Sequence, residues 1–357
     1  MNFRIIAYII GWVCNFQAAF MLLPAVTAMI YREKDFFAFL ISMVICLAVG
    51  IPLTLRKPKN KVFYIKDGCV AVALSWIALC ITGALPFWLT SSIPHPIDAL
   101  FETVSGFTTT GASILTDVEV LPHSVLIWRS FTHWIGGMGV LVFLLSLLPL
   151  TGGYHMNLMK AESPGPSVSK LVPKVQSTAK ILYTIYIGMT LLQMILLLIG
   201  RVPLFDTLCI SFGTAGTGGF GIKNDSMGGY SHYCIIVTTV FMILFGVNFS
   251  VYYLALTKKF KQALKFEEIR YYFGIIAAAI ILIAINTSHL FTSFGIAVEQ
   301  SAFQVGSIIT TTGFSSTDFN QWPAFSKTIL VLLMFVGACA GSTGGGIKVS
   351  RFIVMVK

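Results

Sequence analysis

The stretch Phe107-Thr108-Thr109-Thr110-Gly111-Ala112-Ser113 lies between two long apolar segments, and it has two counterparts farther along the chain. The counterparts are Thr214-Ala215-Gly216-Thr217-Gly218-Gly219-Phe220 and Thr310-Thr311-Thr312-Gly313-Phe314-Ser315. Because each follows a short amphipathic stretch and has apolar segments on both sides, the chain repeats a unit of span, re-entrant loop and span. Irregular backbone persists at membrane depth only where protein buries it or where it lines a watery cavity. Several such loops converging on one axis are typical of a cation filter made of carbonyl oxygens.

Composition excludes a soluble globular domain, since 56% of the 357 residues are hydrophobic and only 11% are charged. Segments long enough to cross a bilayer recur along the chain. They cover residues 5–30, 36–55, 69–90, 124–150, 181–200, 234–256 and 271–290, with an eighth, glycine-interrupted segment at 328–356. The sequence therefore predicts an all-α integral membrane protein, with tandem span–pore-loop–span repeats around a central pore. We place a two-helix hairpin at residues 1–60 and the repeats at 61–160, 161–262 and 263–357.

Charge placement predicts the orientation. The net charge of +10 is carried mainly by three basic connections, at residues 56–61, 160–180 and 258–270. Since short basic loops stay in the cytoplasm, we expect a cytoplasmic N-terminus and re-entrant loops that enter from outside. No basic cluster lies in a soluble module, which argues against a nucleic-acid partner. The seven cysteines form no C-x-x-C pair, so neither a disulfide framework nor a zinc site is indicated.

Short helices are expected before the Thr-Gly loops, at residues 101–108, 208–214 and 303–310. Each would be about two turns long, and its carbonyl end would face the centre, where the helix dipole favours a cation. Glycine permits backbone conformations that other residues avoid, and threonine adds a hydroxyl oxygen. The candidate cation-binding residues are Thr110, Gly111, Thr217, Gly218, Thr312 and Gly313. One Thr-Gly pair alone would indicate an ordinary turn, whereas three in equivalent positions favour a filter.

Two sets of acidic residues flank the loops. Asp98, Asp206 and Glu299 precede them and are expected to cap the short helices. A second set follows the loops and consists of Asp117, Asp225 and Asp318. These three carboxylates would either line an outer vestibule and raise the local cation concentration, or cap the helices that follow. The sequence leaves both interpretations open.

Gly341-Ser342-Thr343-Gly344-Gly345-Gly346 interrupts the last apolar segment. A nucleotide-binding P-loop is excluded, because Ile347 separates the glycine from Lys348 and no strand-to-helix context surrounds the run. Small residues for close helix packing would explain one or two of the glycines. Six residues without a good helix former favour a break in the helix instead.

Arg129 and His133 fall one helical turn apart inside a predicted span, where ionisable side chains are costly and usually paired. We expect a structural role for them, with Glu102 as a candidate partner behind the first loop. Glu267 and Glu268 are expected at a solvated helix entry. No pair of carboxylates, Ser/His/Asp set or metal cluster recurs within the spans, so an enzyme is not predicted.

Four motifs together resemble the Trk/Ktr/HKT superfamily of potassium transporters, and most of all the membrane subunits of bacterial Trk potassium-uptake systems. They are Val104-Ser105-Gly106-Phe107-Thr108-Thr109-Thr110-Gly111-Ala112, Trp128-Arg129-Ser130-Phe131-Thr132-His133-Trp134-Ile135-Gly136-Gly137-Met138-Gly139, Ser163-Pro164-Gly165-Pro166 and Gly337-Ala338-Cys339-Ala340-Gly341-Ser342-Thr343-Gly344-Gly345-Gly346-Ile347-Lys348. The resemblance extends from the first span to the last residue. It implies potassium uptake across the bacterial cytoplasmic (inner) membrane, with Gly111, Gly218 and Gly313 as the filter glycines. In that family, glycine rather than serine at the first of these positions goes with potassium preference.

The resemblance also implies a gate, an intramembrane loop beneath the filter. Its residues here are Gly341, Ser342, Thr343, Gly344, Gly345 and Gly346, with the positive charge of Lys348 in or near the conduction path. The implied assembly is a homodimer in the lipid bilayer with a cytosolic nucleotide-binding regulatory subunit. Potassium is the transported substrate, and no cofactor is expected.

The superfamily has four repeats, whereas the sequence up to Lys357 contains three. We therefore keep, as alternative functions, a truncated, non-conducting fragment of such a transporter and a sodium/potassium secondary symporter. A substrate-binding secondary transporter would be expected to have discontinuous helices but not a repeated Thr-Gly loop.

Overall fold

The computed structural model describes residues 1–55, 58, 64–139, 175–264 and 266–357. The α-helices in these ranges are α1 (Phe3–Phe20), α2 (Leu22–Ile30), α3 (Phe36–Leu55), α4 (Ile65–Leu89), α5 (Pro96–Phe107), α6 (His123–Gly137), α7 (Val175–Ile199), α8 (Leu204–Ala215), α9 (His232–Phe245), α10 (Phe249–Leu256), α11 (Phe260–Leu264), α12 (Glu267–Thr287), α13 (Phe294–Ile309), α14 (Ala324–Phe335) and α15 (Val349–Val356). Two 3-10 turns cover Ser288–Leu290 and Phe319–Gln321. Apart from one parallel bridge between Val336 and Ile347, the described chain is all-α, as the sequence predicts.

Five stretches of helix in the described ranges are long and apolar enough to cross a membrane. They are Phe3–Ile30, Phe36–Leu55, Ile65–Leu89, Thr178–Ile199 and Glu267–Leu290. A sixth span is broken, because α9 and α10 meet at an angle of 94°. The end of the predicted span 124–150, the motif at 163–166 and most of the basic connections at 56–61 and 160–180 lie outside the described residues.

Residues 1–108 and 112–183 contribute one compact unit. In it α1 packs closely on α3, and a Cβ atom added at Gly11 would lie only 2.7 Å from Leu53 Cβ. A polar contact joins α1 to α4, since the Gln17 amide donates to the Leu79 carbonyl (3.0 Å) and accepts from the Thr82 hydroxyl (2.6 Å). Polar groups at membrane depth require such internal partners. The unit is therefore held by close helix packing and by the buried hydrogen bonds of Gln17.

Residues 109–111 and 184–357 form the second compact unit. Its apolar core includes Ile283 of α12, Val305 and Ile309 of α13, and Leu330 of α14, all nearly inaccessible to solvent. The same unit contains the broken span of α9 and α10, the second and third Thr-Gly loops, and residues 109–111 of the first loop. The last predicted span is also broken, since the helix stops at Phe335 and resumes at Val349. The predicted helix break is thus confirmed, and it extends beyond residues 341–346 on both sides.

The short helices before the loops are longer than predicted. α5 and α8 each have 12 residues and α13 has 16, instead of about two turns. Twelve residues rise only about 18 Å, so these helices remain shorter than the hydrocarbon core of about 30 Å. Pro96 at the start of α5 and Pro203 before α8 fit the beginning of a helix, where the missing N–H costs nothing.

The expected caps of these helices are wrong. The N-cap residues are His95, Pro203 and Ser293, and only the last of them caps through its side chain. Asp98 and Asp206 instead lie in the first turn of α5 and α8, where a negative charge still complements the helix dipole. Glu299 lies deeper in α13, 2.8 Å from the His232 ring nitrogen Nδ1.

Candidate functional site

The three Thr-Gly loops share one backbone conformation. The preceding helices end at Phe107, Ala215 and Ile309. Two residues later a threonine has a positive φ, which is 54° at Thr109, 54° at Thr217 and 59° at Thr311. After two more residues a glycine has a positive φ, which is 74° at Gly111, 77° at Gly219 and 88° at Gly313. Non-glycine residues rarely adopt positive φ, so the recurrence establishes that the loops are structurally equivalent.

This equivalence corrects the predicted register of the second loop by one residue. The counterpart of Gly111 and Gly313 is Gly219, and Gly218 corresponds to Thr110 and Thr312. Hydrogen bonds agree, because the N–H groups of Gly218 and Thr312 both donate to the carbonyl five residues earlier, at 3.0 Å and 2.8 Å. The Thr-Gly pattern selects Gly218 because it directly follows Thr217. The positive φ selects Gly219 instead, and two adjacent glycines in a sequence do not show which of them has it.

Neighbouring loops approach one another closely at these glycines. A Cβ atom added at Gly111 would collide with the carbonyl oxygen of Gly218, and one added at Gly219 would collide with the carbonyl oxygen of Thr312. Among the described residues, no atom lies within 4 Å of a Cβ built on Gly313. The loops are therefore neighbours in chain order. The carbonyl oxygens of Gly218 and Thr312, in the second and third loops, lie against the equivalent glycine of the loop before.

The threonines with positive φ contact the glycine-rich segment, which we define as residues 337–348. The Thr217 hydroxyl donates to the Thr343 carbonyl at 3.0 Å. The Thr311 hydroxyl oxygen accepts the N–H of Gly345 at 2.7 Å. The Thr311 hydroxyl donates to the Thr310 carbonyl, and the single proton of the Thr217 hydroxyl is shared between the carbonyls of Thr343 and Gly216. The second and third loops are thus hydrogen-bonded directly to this segment.

The glycine-rich segment is also attached to the break between α9 and α10. The N–H of Cys339 donates to the Gly246 carbonyl, and the N–H of Phe249 donates to the Gly341 carbonyl, both at 3.0 Å. The Lys348 ammonium donates to the carbonyl oxygens of Gly344 and Gly345. Because all these contacts involve main-chain atoms of an irregular segment, they satisfy polar groups that lipid could not.

Small residues in this segment are needed for packing as well as for the break. A Cβ atom added at Gly344 would lie 3.0 Å from the Thr310 carbonyl oxygen, and one at Gly345 would lie 2.9 Å from the Thr311 hydroxyl oxygen. Gly341 and Gly346 have positive φ values of 71° and 72°. The glycines thus break the helix and also allow close approach to Thr310 and Thr311 of the third loop, rather than to another helix.

A buried ion pair lies behind the first loop, and the expected pairing of Arg129 with Glu102 is confirmed. The Arg129 atoms Nε and Nη2 each lie 2.8 Å from Glu102 Oε1, and the two side chains are 2% and 0% exposed. Glu102 also accepts the Ser113 hydroxyl (2.9 Å) and the N–H of Ile114 (3.0 Å). One carboxylate thus fixes the chain just after the loop. One turn beyond Arg129, His133 Nδ1 lies 2.7 Å from the Gly106 carbonyl oxygen and donates to it.

The acidic residues after the loops lie on exposed connections. Asp117, Asp225 and Asp318 are all solvent-exposed. The helices that follow have Pro122, Ser231 and Pro323 as N-cap residues, so the alternative that the aspartates cap these helices is wrong. Asp318 instead caps the 3-10 turn at Phe319–Gln321, and the N–H of Asn320 is the main cause of its lowered pKa. Their role in a vestibule stays a prediction.

Glu268 is a residue whose contacts the sequence did not predict. Its carboxylate accepts the N–H of Ala340, inside the glycine-rich segment, and the N–H of Ser350, two residues after that segment ends. Both glutamates lie in the first turn of α12, as expected for a helix entry, and neither is fully buried. Glu267 pairs with Lys357 at the surface, whereas Glu268 binds main-chain N–H groups. A glutamate next to a second glutamate gives no sequence signal for this difference.

Comparison with known proteins agrees with this geometry. A family model described as "TrkH: Cation transport protein" matches residues 35–357. The chain is 34% identical over 364 residues to the Trk system potassium uptake protein TrkH of Salmonella typhimurium, covering 100% of this chain and 75% of that protein. It is 33% identical over 362 residues to the Trk system potassium uptake protein TrkG of Escherichia coli, with 99% and 74% covered. The crystal structure of the potassium transporter TrkH from Vibrio parahaemolyticus superposes with a TM-score of 0.88 at 31% identity, over 100% of this chain and 75% of that one.

Proposed function

Since the chain belongs to the TrkH family of cation transport proteins, and is therefore a membrane transporter rather than an enzyme, we propose that it carries potassium ions into the cell. The proposed path runs through the three Thr-Gly loops. The single observation that supports it best is the contact of successive loops, with the Gly218 and Thr312 carbonyl oxygens against Gly111 and Gly219. Closely spaced carbonyl oxygens replace the hydration shell of a potassium ion.

The proposed filter residues are Thr110, Gly111, Thr217, Gly218, Thr312 and Gly313, to which the shared backbone conformation adds Gly219. Gly111, Gly219 and Gly313 supply the left-handed conformation, and the residue before each supplies a carbonyl oxygen. The ends of α5, α8 and α13 supply the negative end of a helix dipole near each loop. We retain residues 61–160, 161–262 and 263–357 as the repeating units of this arrangement.

The proposed gate is the part of the glycine-rich segment from Gly341 to Gly346, together with Lys348. Support comes from its hydrogen bonds to Thr217 and Thr311, which place it directly beside the loops. Lys348 donates to two carbonyls of the segment, so the proposed gate would carry a positive charge that repels a cation. Movement of this segment would open the path, and its present position would obstruct it.

The wider setting is also proposed. The exposed Asp117, Asp225 and Asp318 would raise the cation concentration in an outer vestibule. The chain would lie in a bacterial inner membrane with a cytoplasmic N-terminus and function as a homodimer. The curated relatives are named as parts of Trk systems, and a cytosolic nucleotide-binding subunit would be the regulatory partner here.

A complementation experiment tests the function. A strain without its own potassium-uptake systems should grow at low potassium when it expresses this protein, and replacement of Gly111 or Gly219 by serine should abolish that growth. Gly274 is a matched control, because no described atom lies within 4 Å of a Cβ added there. Growth that is indifferent to Gly111 and Gly219, at equal protein levels in the membrane, would contradict the proposal.

A further inference from the structure

Glu268, in the first turn of α12, is hydrogen-bonded to one residue before and one residue after the proposed gate. Its Oε1 atom accepts the N–H of Ala340 at 2.8 Å and the N–H of Ser350 at 3.0 Å. Ala340 directly precedes Gly341, and Ser350 lies in the first turn of α15. One carboxylate oxygen therefore joins the residue before the gate to the helix after it.

Capping of α15 explains only half of this arrangement. A carboxylate near the first turn of a helix accepts a free N–H group and complements the helix dipole, which accounts for Ser350. Ala340 lies in the irregular segment between α14 and α15, so helix capping does not account for the hydrogen bond of its N–H group. The second bond therefore restrains the segment itself.

The bond from Glu268 differs in kind from most other restraints on the segment. The contacts of Cys339 with Gly246 and of Thr311 with Gly345 are hydrogen bonds between neutral groups. Hydrogen bonds to an ionised acceptor are roughly twice as strong as neutral ones. The segment cannot leave its position as a unit without breaking the bond from Ala340 or moving Glu268 of α12 with it.

We propose that Glu268 is the positioning residue that holds the gate in its obstructing position. This inference rests on the proposed function of residues 341–346. Loss of the carboxylate favours the open arrangement, so the protein conducts more in the absence of any regulatory partner. The filter is not touched by Glu268, and selectivity for potassium over sodium is retained.

The experiment measures rubidium tracer flux into liposomes that contain the purified protein alone. Glu268→Gln keeps the size of the side chain and removes its charge, and Glu268→Asp keeps the charge but shortens the reach. Each variant is expected to raise basal flux about tenfold, which corresponds to about 1.4 kcal/mol in the equilibrium between open and closed states. Glu267→Gln is the matched control, because Glu267 pairs with Lys357 and is expected to leave flux unchanged.

A second readout does not depend on flux. Cys339 is fully buried next to Ala340, whereas Cys69 is exposed. In a background with Cys69 replaced by serine, Glu268→Gln should speed the reaction of Cys339 with a membrane-permeant thiol reagent. If Glu268→Gln lowers the melting temperature but changes neither flux nor labelling, the residue has only a structural role and the inference is wrong.

Deletion of residues 341–346 separates this inference from the function on which it rests. If the deletion raises flux and neither Glu268 variant does, the proposed gate is supported and the proposed role of Glu268 is overturned. If neither the deletion nor the variants raise flux, the gate is contradicted and the role of Glu268 with it. Increased flux in the deletion and in both Glu268 variants supports the two proposals together.

Discussion

Replacement of Arg129 by methionine removes the positive half of the buried ion pair and leaves the Glu102 carboxylate without its counter-charge. Both side chains are almost completely buried, and two guanidinium nitrogens lie 2.8 Å from the same carboxylate oxygen. Removal of one partner from a buried pair costs about 3–5 kcal/mol. Because Ser113 and Ile114 still donate to the carboxylate, we expect a loss near the lower limit, about 3 kcal/mol.

The assay is the free energy of unfolding in detergent micelles, measured by denaturant titration for Arg129→Met, Glu102→Gln and the double variant. The double variant buries no charge, so it should be less destabilised than the sum of the two single variants, with a coupling energy of about 2–3 kcal/mol. Lys357→Met is the control, because it breaks an exposed pair with Glu267 and should leave the free energy of unfolding unchanged.

The same variant has a functional consequence. Ser113 and Ile114, which Glu102 holds, follow Gly111 by two and three residues. In Arg129→Met, the preference for potassium over sodium should therefore be lowered while uptake is still measurable. Additive destabilisation in the double variant, or a loss of less than about 1 kcal/mol for Arg129→Met, would show that the two buried side chains do not stabilise each other.

Three further predictions concern the loops and their surroundings. Gly219→Ala should abolish potassium uptake, because its Cβ atom would meet the Thr312 carbonyl oxygen, whereas Gly218→Ala should be tolerated, because threonine stands at the equivalent positions. Gly313→Ala should destabilise the folded protein only by the backbone strain of a positive φ, about 1–2 kcal/mol. Uptake assays should therefore rank Gly218→Ala and Gly313→Ala above Gly219→Ala. Thr311→Val removes the acceptor for the Gly345 N–H at nearly constant volume, so basal tracer flux should rise, and unchanged flux would argue against the contact as a restraint. Asp318→Asn should lower potassium uptake at low ionic strength by the same factor at about pH 5 and about pH 7.5. The pKa of Asp318 lies below the ordinary carboxyl value of about 3.9, so its charge is lost only as the pH falls through that lower value. A smaller effect of the substitution at the lower pH would contradict this.

The sequence predicted the fold class well because the bilayer imposes simple rules. A spanning helix needs about 20 apolar residues, so the spans beginning at Phe36 and at residue 271 were recognisable by length and composition alone. The break before Val349 was predicted because six small residues without a good helix former cannot sustain a helix. The pairing of Arg129 with Glu102 is predictable because a charged side chain at membrane depth requires a partner.

Other features depend on backbone geometry and on distant contacts. Gly218 and Gly219 are adjacent glycines, and only the φ values show that the second one corresponds to Gly111. The caps of α5 and α8 were mispredicted because acidic residues in the first turn and at the N-cap give the same sequence signal. The role of Glu268 was missed because its partners are main-chain N–H groups more than 70 residues away. Nearly every residue has a main-chain N–H group, so the sequence does not show which of these groups a carboxylate will bind.

The position of the transported ion can be located by anomalous diffraction from crystals grown with rubidium or thallium in place of potassium. We expect an anomalous peak in contact with the carbonyl oxygens of Gly218 and Thr312, and loss of that peak in the Gly219→Ala variant. A filter region without a peak in a well-ordered crystal, with the ions bound only beside Asp117, Asp225 or Asp318, would contradict the claim that these loop carbonyls bind the transported ion.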